Sequence, residues 1–305
     1  MFHRIWIYLN SMYPPISRML YAIAHFFGLY FAAQILAGTG PLMITHGSIA
    51  GCITVFLFML YLRVADELKD LEIDLRLFPE RALPSGGVNV NDLAVLMGIT
   101  IVLMFGVNMF YGNAINAFLI LFGYGFLMFK FFFYPEVISK SLILSLVTHN
   151  PVCILVNSYI IAVFLKDFPE QSFRWEFVLL VLAYWIPMIV WETCRKIRAP
   201  VEENDYVTYS KLFGFRTATY VPMAFQCLHF AIVLYLGTYF HYSTYFLIAA
   251  SLVMILSLAG YVRFLVNPNA KTSKLKPFGE FYMLALFILI IADFIYSHGI
   301  QWAIS

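Results

Sequence analysis

The sequence predicts an all-α, polytopic membrane protein with nine transmembrane helices in a single bundle. Of its 305 residues, 62% are hydrophobic and 12% are charged, and the charged share is well below the roughly 25% of soluble domains. The apolar residues fall into nine runs of about the length that crosses a bilayer. Backbone groups in lipid must pair within their own segment, so these runs are predicted to be helices rather than strands.

The predicted spans follow one another along the whole chain. They are Ser17–Ala37, Gly47–Val64, Leu93–Tyr111, Ala114–Phe133, Ser141–Leu165, Phe177–Trp191, Thr217–Phe240, Thr244–Leu265 and Phe281–Ile304. Only Gly112 and Asn113 separate the third span from the fourth, which predicts a tight turn. Because no low-complexity linker interrupts the series, residues 1–305 are predicted to form one transmembrane domain.

Lysine and arginine are unevenly divided between the two sides that these spans define. Of the 19 basic residues, all but Lys166 and Arg174 lie in the N-terminal segment or the even-numbered connections. The bias predicts that the N-terminus and the even connections are cytosolic and that the C-terminus lies on the opposite side. The net charge of +2 argues against a polyanion, so no nucleic-acid partner is expected.

The first of two charged cytosolic connections, residues 63–91, carries three aspartates at helical spacing. Asp66, Asp70 and Asp74 are four residues apart, so a helix would align their carboxylates on one face. A divalent cation such as Mg²⁺, which prefers oxygen ligands, would relieve the repulsion between them. The basic residues that could bind a diphosphate are Arg63, Lys69, Arg76 and Arg81. The alternative is a solvated helix end whose acids pair with these bases.

The second charged connection, residues 192–215, is less regular. Its acidic residues are Glu202, Glu203 and Asp205, and its preceding basic residues are Arg195, Lys196 and Arg198. Carboxylates that face the first cluster would hold a second cation or the other side of a diphosphate. An ordinary charged loop is the alternative interpretation.

Three further polar residues are candidates for the same site. Tyr134 and Lys140 lie in the connection between the fourth and fifth spans, on the side of both acidic clusters. Asn150 lies inside the fifth span, between His149 and Pro151. Polar residues in a membrane are costly and often functional, although Asn150 could instead pair with backbone groups that Pro151 leaves free.

The first charged connection resembles the first motif of the UbiA-type intramembrane prenyltransferases. That motif is usually Asn-x3-Asp-x3-Asp, followed by an Arg-Pro-x-Pro-Ser-Gly-like turn. Here Asp66, Asp70 and Asp74 precede the stretch Arg81-Ala-Leu-Pro-Ser-Gly. The family fold has nine transmembrane helices, with acidic motifs on the cytosolic connections after helices two and six. Both charged connections of this sequence occupy those positions.

The resemblance implies roles for individual residues. Asp66, Asp70 and Asp74 would bind one Mg²⁺, and Glu202 and Asp205 would bind a second. The residues that would contact diphosphate are Arg63, Lys69, Arg81, Lys140, Arg195 and Arg198, with Tyr134 and Asn150 at the pocket. The second family motif is normally Asp-x3-Asp, so Asp205 matches its second aspartate, Glu202 would replace the first, and Glu192 is a further candidate.

The resemblance also implies a reaction, which is Mg²⁺-dependent transfer of a prenyl group from an allylic prenyl diphosphate to an acceptor, typically aromatic, within the bilayer. A terpene cyclase of the same superfamily is the first alternative, and its product would contain no acceptor. A transporter or lipid-binding protein is the second, favoured only by residues 149–151 and Asp293. A CDP-alcohol phosphotransferase is disfavoured because its Asp-Gly, Ala-Arg and Gly-x3-Asp-x3-Asp signature is absent.

Overall fold

The computed structural model of the protein describes residues 1–303, and these residues are mainly helical. The elements in chain order are α1 (Phe2–Met12), α2 (Pro15–Ala37), β1 (Leu42–Thr45), α3 (His46–Lys69), α4 (Leu71–Leu77), α5 (Val90–Phe110), α6 (Ile115–Phe129), α7 (Pro135–Ile138), α8 (Leu142–His149), α9 (Val152–Asp167), α10 (Trp175–Cys194), α11 (Tyr209–Phe213), α12 (Phe215–Phe240), α13 (Thr244–Val266), α14 (Lys276–His298) and β2 (Ile300–Ala303). Single 3₁₀ turns occur at Phe131–Phe133 and Pro200–Glu202. The prediction of an all-α membrane bundle is confirmed.

Each predicted span coincides with an apolar helix, although the lengths differ. Within the described residues, eight segments are long and apolar enough to cross a membrane: α2, α3, α5, α8 together with α9, α10, α12, α13 and α14. The remaining span corresponds to α6, which has 15 residues and is therefore about 22 Å long at 1.5 Å per residue. The predicted end of that span at Phe133 was too late, because three consecutive phenylalanines adopt left-handed backbone conformations after α6.

The C-terminal end also differs from the sequence-based prediction. Helix α14 ends at His298, and Gly299 follows with a φ of 68°. Strand β2 then runs parallel to β1, with Leu42 opposite Ile300. The predicted helical end at Ile304 lies outside the described residues.

The fifth predicted span is divided into two helices. Helix α8 ends at His149 and α9 begins at Val152. Asn150 and Pro151 keep helical backbone angles, but Pro151 has no N–H to donate to the preceding turn, and this missing hydrogen bond accounts for the break. Asn150 lies at the break, where its side-chain oxygen accepts a hydrogen bond from the indole N–H of Trp185.

The core of the bundle is rich in fully buried aromatic side chains, which include Phe26, Tyr30, Phe58, Phe118 and Phe164. Helix α3 packs on α2, α5 and α9, while α10 packs on α12 and α14. Large apolar side chains also cover the outer surface of α5, α12 and α13. An outer surface of this kind needs lipid around it. The chain is therefore an integral, multi-pass membrane protein.

Two smaller apolar clusters anchor the charged connections to the bundle. The first joins Tyr8 of α1 and Val64 of α3 to Val88 of the first connection and to Leu93 of α5. The second joins Cys194 of α10 and Tyr209 of α11 to α13 and the start of α14. These clusters hold both connections at the same end of the bundle, beside the ends of α3 and α10.

Candidate functional site

The three predicted aspartates lie across the junction between α3 and α4. Asp66 is in the last turn of α3, Asp70 is the residue between the helices, and Asp74 is inside α4. The backbone N–H of Asp70 donates to the carbonyl of Asp66 at 3.0 Å, and that of Asp74 donates to the carbonyl of Asp70 at 2.9 Å. The backbone therefore keeps helical hydrogen bonding across the short break, which maintains the predicted spacing of the carboxylates.

Two of these carboxylates are paired with basic side chains of the same connection. Lys69 Nζ lies 2.8 Å from Asp66 Oδ1. Arg81 Nη1 donates to both oxygens of Asp74 at 2.7 Å, and Asp74 is only 4% exposed. Arg81 also packs its guanidinium 4.1 Å from the centre of the Phe78 ring. Arg81 therefore fixes the end of the first connection to α4.

Asp70 differs from its two neighbours, because its carboxylate makes no hydrogen bond and no ion pair with any described residue. Burial raises the pKa of Asp70 to about 6, and the charges of Asp66 and Asp74 contribute to the rise. Lys69 and Lys196 act in the opposite direction. Asp70 is thus a crowded, partly buried carboxylate that would be stabilised by a cation.

A fourth acidic residue of the first connection, Glu67, was not selected from the sequence. Glu67 is 2% exposed and forms an ion pair with Arg63, four residues before it. The i, i+4 spacing of opposite charges was the available signal. Arg63, which was expected to contact diphosphate, therefore has a buried partner within its own helix.

The second connection brings a different acidic residue to the site from those in its acidic cluster. Glu192, in the last turn of α10, accepts hydrogen bonds from Arg195 at 2.5 and 3.0 Å and lies 3.4 Å from Lys196 Nζ. Burial lowers the pKa of Lys196, while the carboxylates of Glu192 and Asp70 counteract this effect. Lys196 is thus an electrostatic neighbour of acids from both connections.

Aromatic and charged contacts join the two connections directly. The rings of Phe78 and Tyr206 meet edge to face, with centres 5.6 Å apart. Arg198 lies 5.3 Å from the centre of the Tyr206 ring and donates to Asn204 at 2.9 Å.

Arg195 is influenced by acids of both connections. Burial lowers its pKa, but the carboxylates of Glu192 and Asp66 raise it, and the net effect is an increase. We name the group Asp66, Lys69, Asp70, Glu192, Arg195 and Lys196 the charged cluster.

The acidic residues of the second connection have other partners in the structure. Glu202 Oε2 accepts hydrogen bonds from the backbone N–H of Ala199 at 3.1 Å and from the hydroxyl of Ser273 at 2.5 Å. Glu203 accepts from Thr208 at 2.8 and 2.9 Å. Asp205 is exposed. The structure uses Glu202 and Glu203 to fold the connection, and binding of a second Mg²⁺ by Glu202 and Asp205 stays a prediction.

The connection after α6 approaches the charged cluster through residues that the sequence did not single out. Tyr134 is 69% exposed and Lys140 is also exposed. No hydrogen bond or ion pair within residues 1–303 joins either of them to the charged cluster. Instead, Lys69 Nζ lies 4.9 Å from the centre of the Phe131 ring. The expected roles of Tyr134 and Lys140 stay predictions.

The donor atoms of the charged cluster fit a hard divalent cation. Within residues 1–303, no three acidic, histidine or cysteine side chains are already arranged around one ion position. Mg²⁺ usually takes one or two carboxylates and completes its shell with water and substrate phosphates. Asp70, which forms no ion pair with any described residue, and its neighbour Asp66 could supply such carboxylates. Lys69, Arg195 and Lys196 carry charge that suits a phosphate.

Comparisons with known proteins identify the family and the fold of the chain. The family model described as the UbiA prenyltransferase family matches residues 26–284. No curated protein matches the chain. A solved structure described as giving structural and mechanistic insights into the biosynthesis of digeranylgeranylglyceryl phosphate synthase in membranes has a TM-score of 0.57 and 19% identity, and the match covers 96% of this chain and 99% of that chain.

The apo structure of a UbiA homolog from Aeropyrum pernix K1 is also similar. Its TM-score is 0.61 at 17% identity, and the match covers 90% of this chain and 97% of that chain. At such identities these two structures show a shared fold, whereas a reaction has to be argued from the residues of the site.

Proposed function

Because the chain belongs to the UbiA prenyltransferase family, we propose that it transfers a prenyl group from an allylic prenyl diphosphate to an aromatic acceptor inside the membrane. The observation that carries this proposal is the environment of the Asp70 carboxylate. Burial raises the pKa of this carboxyl group to about 6, no described residue forms an ion pair with it, and it lies among Asp66, Lys69 and Lys196 at one end of an apolar bundle. These surroundings would combine carboxylates that can bind a divalent cation with ammonium groups that can bind a diphosphate.

In this proposal the charged cluster binds the diphosphate and helps it to leave. Asp66 and Asp70 would hold Mg²⁺, with Glu192 available from the second connection. When bound, Mg²⁺ acts as a Lewis acid that stabilises the negative charge of the departing diphosphate. Lys69, Arg195 and Lys196 are preorganised for the same charge, since their positions are set by contacts with Asp66 and Glu192.

The paired residues around the charged cluster would act by positioning. Arg81 holds Asp74, and Arg63 holds the buried Glu67. These ion pairs would fix α3, which carries Asp66, and α4, which follows Asp70. Tyr206 joins the second connection to the first through its contact with Phe78, and Arg198 of its own connection packs against its ring.

The bundle supplies the apolar environment that an allylic substrate requires. The prenyl chain is insoluble in water, and an allylic cation reacts rapidly with water. Helices α2, α3, α9 and α10 form an aromatic and aliphatic core, and the last turns of α3 and α10 carry residues of the charged cluster. Exclusion of water from this region would leave the acceptor as the nucleophile.

The proposal is tested by product analysis with the purified protein. The protein would be incubated with Mg²⁺, allylic diphosphates of increasing chain length and a panel of aromatic acceptors, followed by mass spectrometry and assay of released diphosphate. We expect an acceptor whose mass has increased by one prenyl group, formed in equal amount to diphosphate. A prenyl-derived hydrocarbon or alcohol that lacks the acceptor would indicate a cyclase instead.

A matched pair of variants makes the result specific to the site. Asp70→Asn removes the carboxylate charge with little change of volume and should abolish transfer. Glu72→Gln changes an exposed acid of the same connection and should keep wild-type turnover. Equal turnover of Asp70→Asn and wild type would overturn the assignment of the charged cluster.

A further inference from the structure

His149 occupies an unusual place next to the charged cluster. It is the last residue of α8, immediately before the break at Asn150 and Pro151. The rings of Phe131 and Phe132 lie 6.0 Å from its ring on the side of the α6 connection. Both phenylalanines have positive φ angles, of 47° and 50°, and such conformations of bulky residues tend to occur at functional sites.

The hydrogen bonds of the His149 ring assign its proton to one nitrogen. Nδ1 lies 3.1 Å from the backbone carbonyl of Ser145 and 3.0 Å from the hydroxyl of Thr148. A carbonyl can only accept a hydrogen bond, so Nδ1 carries the proton and Nε2 carries a lone pair. Nε2 is buried and has no hydrogen-bond partner within residues 1–303. Nε2 of His149 is therefore available to accept a hydrogen bond or a proton from a bound molecule.

The charged groups that face His149 are those of the charged cluster. They are Asp66 and Lys69 from α3 and Lys196 from the segment after α10. The Phe131 ring packs on His149 and also lies 4.9 Å from Lys69 Nζ. His149 is thus at the inner boundary of the cluster, where an acceptor would meet the first carbon of the prenyl donor.

We propose that His149 Nε2 accepts the hydroxyl proton of a phenolic acceptor during prenyl transfer, an inference that rests on the proposed function. A phenol, with an ordinary pKa of ~10, is acidic enough to pass its proton to an imidazole when nearby cations stabilise the phenolate. An aliphatic alcohol is a far weaker acid. The ammonium groups of Lys69 and Lys196 would stabilise the phenolate, and the Phe131 and Phe132 rings would pack against its ring.

The step balances in atoms and charge. The bond between the first prenyl carbon and the diphosphate oxygen breaks, and its electron pair leaves with the diphosphate. The phenol transfers its hydroxyl proton to His149 Nε2 as a ring carbon beside the hydroxyl forms the new bond to the prenyl carbon. The proton on that ring carbon then moves to the oxygen and restores the phenol, while the His149 proton passes to the released diphosphate.

The test uses the full-length protein in lipid nanodiscs with Mg²⁺, geranyl diphosphate and paired acceptors. The acceptors are 4-methylphenol, its methyl ether, and 4-cyanophenol, which ionises at a much lower pH. His149→Gln is compared with wild type and with His3→Gln, which changes an exposed histidine of α1. We expect His149→Gln to lower kcat for 4-methylphenol by about 10²-fold or more, as for loss of a general base, with little change in the donor KM.

The rescue experiment separates proton acceptance from a structural role. With 4-cyanophenol, the His149→Gln variant should recover towards the wild-type rate as the pH rises through the pKa of that acceptor, because the phenolate then forms in solution. The methyl ether should react slowly with both proteins. An equal loss on all acceptors, no recovery with pH, or full activity of His149→Gln on 4-methylphenol would overturn the proposal.

Failure of this inference differs from failure of the proposed function. If wild type transfers the prenyl group to acceptors and His149→Gln does so equally well, only the role of His149 is wrong. If wild type releases no diphosphate with any donor or acceptor, both are overturned. Diphosphate release is therefore measured in every reaction.

Discussion

Arg81 and Asp74 form the contact that closes the first charged connection, with Arg81 Nη1 2.7 Å from both oxygens of a carboxylate that is nearly buried. Removal of one partner leaves the other without compensation, and for fully buried pairs this costs 3–5 kcal/mol. Arg81 is partly exposed, so we expect Arg81→Ala to lower the free energy of unfolding by about 1–2 kcal/mol. Thermal unfolding in detergent measures this change.

Arg81→Lys provides the control for that contact. Lysine keeps the charge but cannot place a planar guanidinium over the Phe78 ring. An intermediate melting temperature is therefore expected. If Arg81→Ala unfolds at the wild-type temperature, the pair does not hold the connection in place.

Asp70 predicts a specific dependence of stability on pH. Its folded-state pKa of about 6 is above the ordinary value of 3.8, so the folded protein binds this proton more tightly than the unfolded chain does. Without divalent metal, this carboxyl group destabilises the fold when charged, and its contribution to stability rises as the pH falls from about 7 through 6 towards 4. Melting temperatures in EDTA should show this rise in wild type and a smaller one in Asp70→Asn.

Mg²⁺ should replace the proton at Asp70. Metal binding to a carboxylate competes with protonation, so Mg²⁺ is expected to raise the melting temperature at neutral pH and to lose this effect below about pH 6. The Asp70→Asn variant should show a much weaker response, and Glu72→Gln should respond like wild type. A Mg²⁺ response in Asp70→Asn equal to that of wild type would argue for a different metal site.

The second connection offers a choice between two acidic residues. Glu192 pairs with Arg195 and Lys196 in the charged cluster, whereas Asp205 is exposed. We expect Glu192→Gln to reduce turnover by about 10²-fold, since it misplaces two donors to the diphosphate. Asp205→Asn should have a smaller effect. If Asp205→Asn is instead as inactive as Asp70→Asn, Asp205 binds the second cation that the sequence predicts.

Tyr206 should affect donor binding through the contact between the two connections. Tyr206→Ala removes the ring that meets Phe78 and Arg198, and an aromatic pair contributes about 0.5–1.5 kcal/mol. A rise of about 2- to 10-fold in the donor KM follows from that energy if the connections separate. Tyr206→Phe keeps the ring and should bind the donor like wild type, which steady-state kinetics would show.

The membrane helices were predictable because lipid imposes one simple rule on a spanning segment. Apolar runs of sufficient length have to be helices, and hydropathy alone placed an apolar helix at each predicted span. The boundaries differ by up to six residues, most at the end of α3 at Lys69 and at the end of α14 at His298. Strand β2 could not be predicted, because its partner β1 is more than 250 residues earlier in the sequence. The parallel pairing of Leu42 with Ile300 is a purely tertiary feature.

The charged cluster was only partly predictable for a related reason. The regular spacing of Asp66, Asp70 and Asp74 is a local signal, and the helical backbone preserves it. In the second connection, the position of Glu202 close to Asp205 in the sequence favoured it as a metal ligand. In the structure, Glu202 instead accepts a hydrogen bond from Ser273, 71 residues away. The sequence favoured Glu192 only as a further candidate, because its place in the charged cluster depends on where the end of α10 lies relative to α3.

The role of Asp70 in prenyl transfer is tested most directly by comparing product formation by wild type and Asp70→Asn in nanodiscs, with Mg²⁺, an allylic prenyl diphosphate and an aromatic acceptor. We expect wild type to form a prenylated acceptor and an equal amount of diphosphate, and EDTA to stop both. Asp70→Asn should be folded but form neither product. Transfer by Asp70→Asn at the wild-type rate, or transfer by wild type that EDTA does not affect, would show that Asp70 and a bound divalent cation are not needed for the reaction.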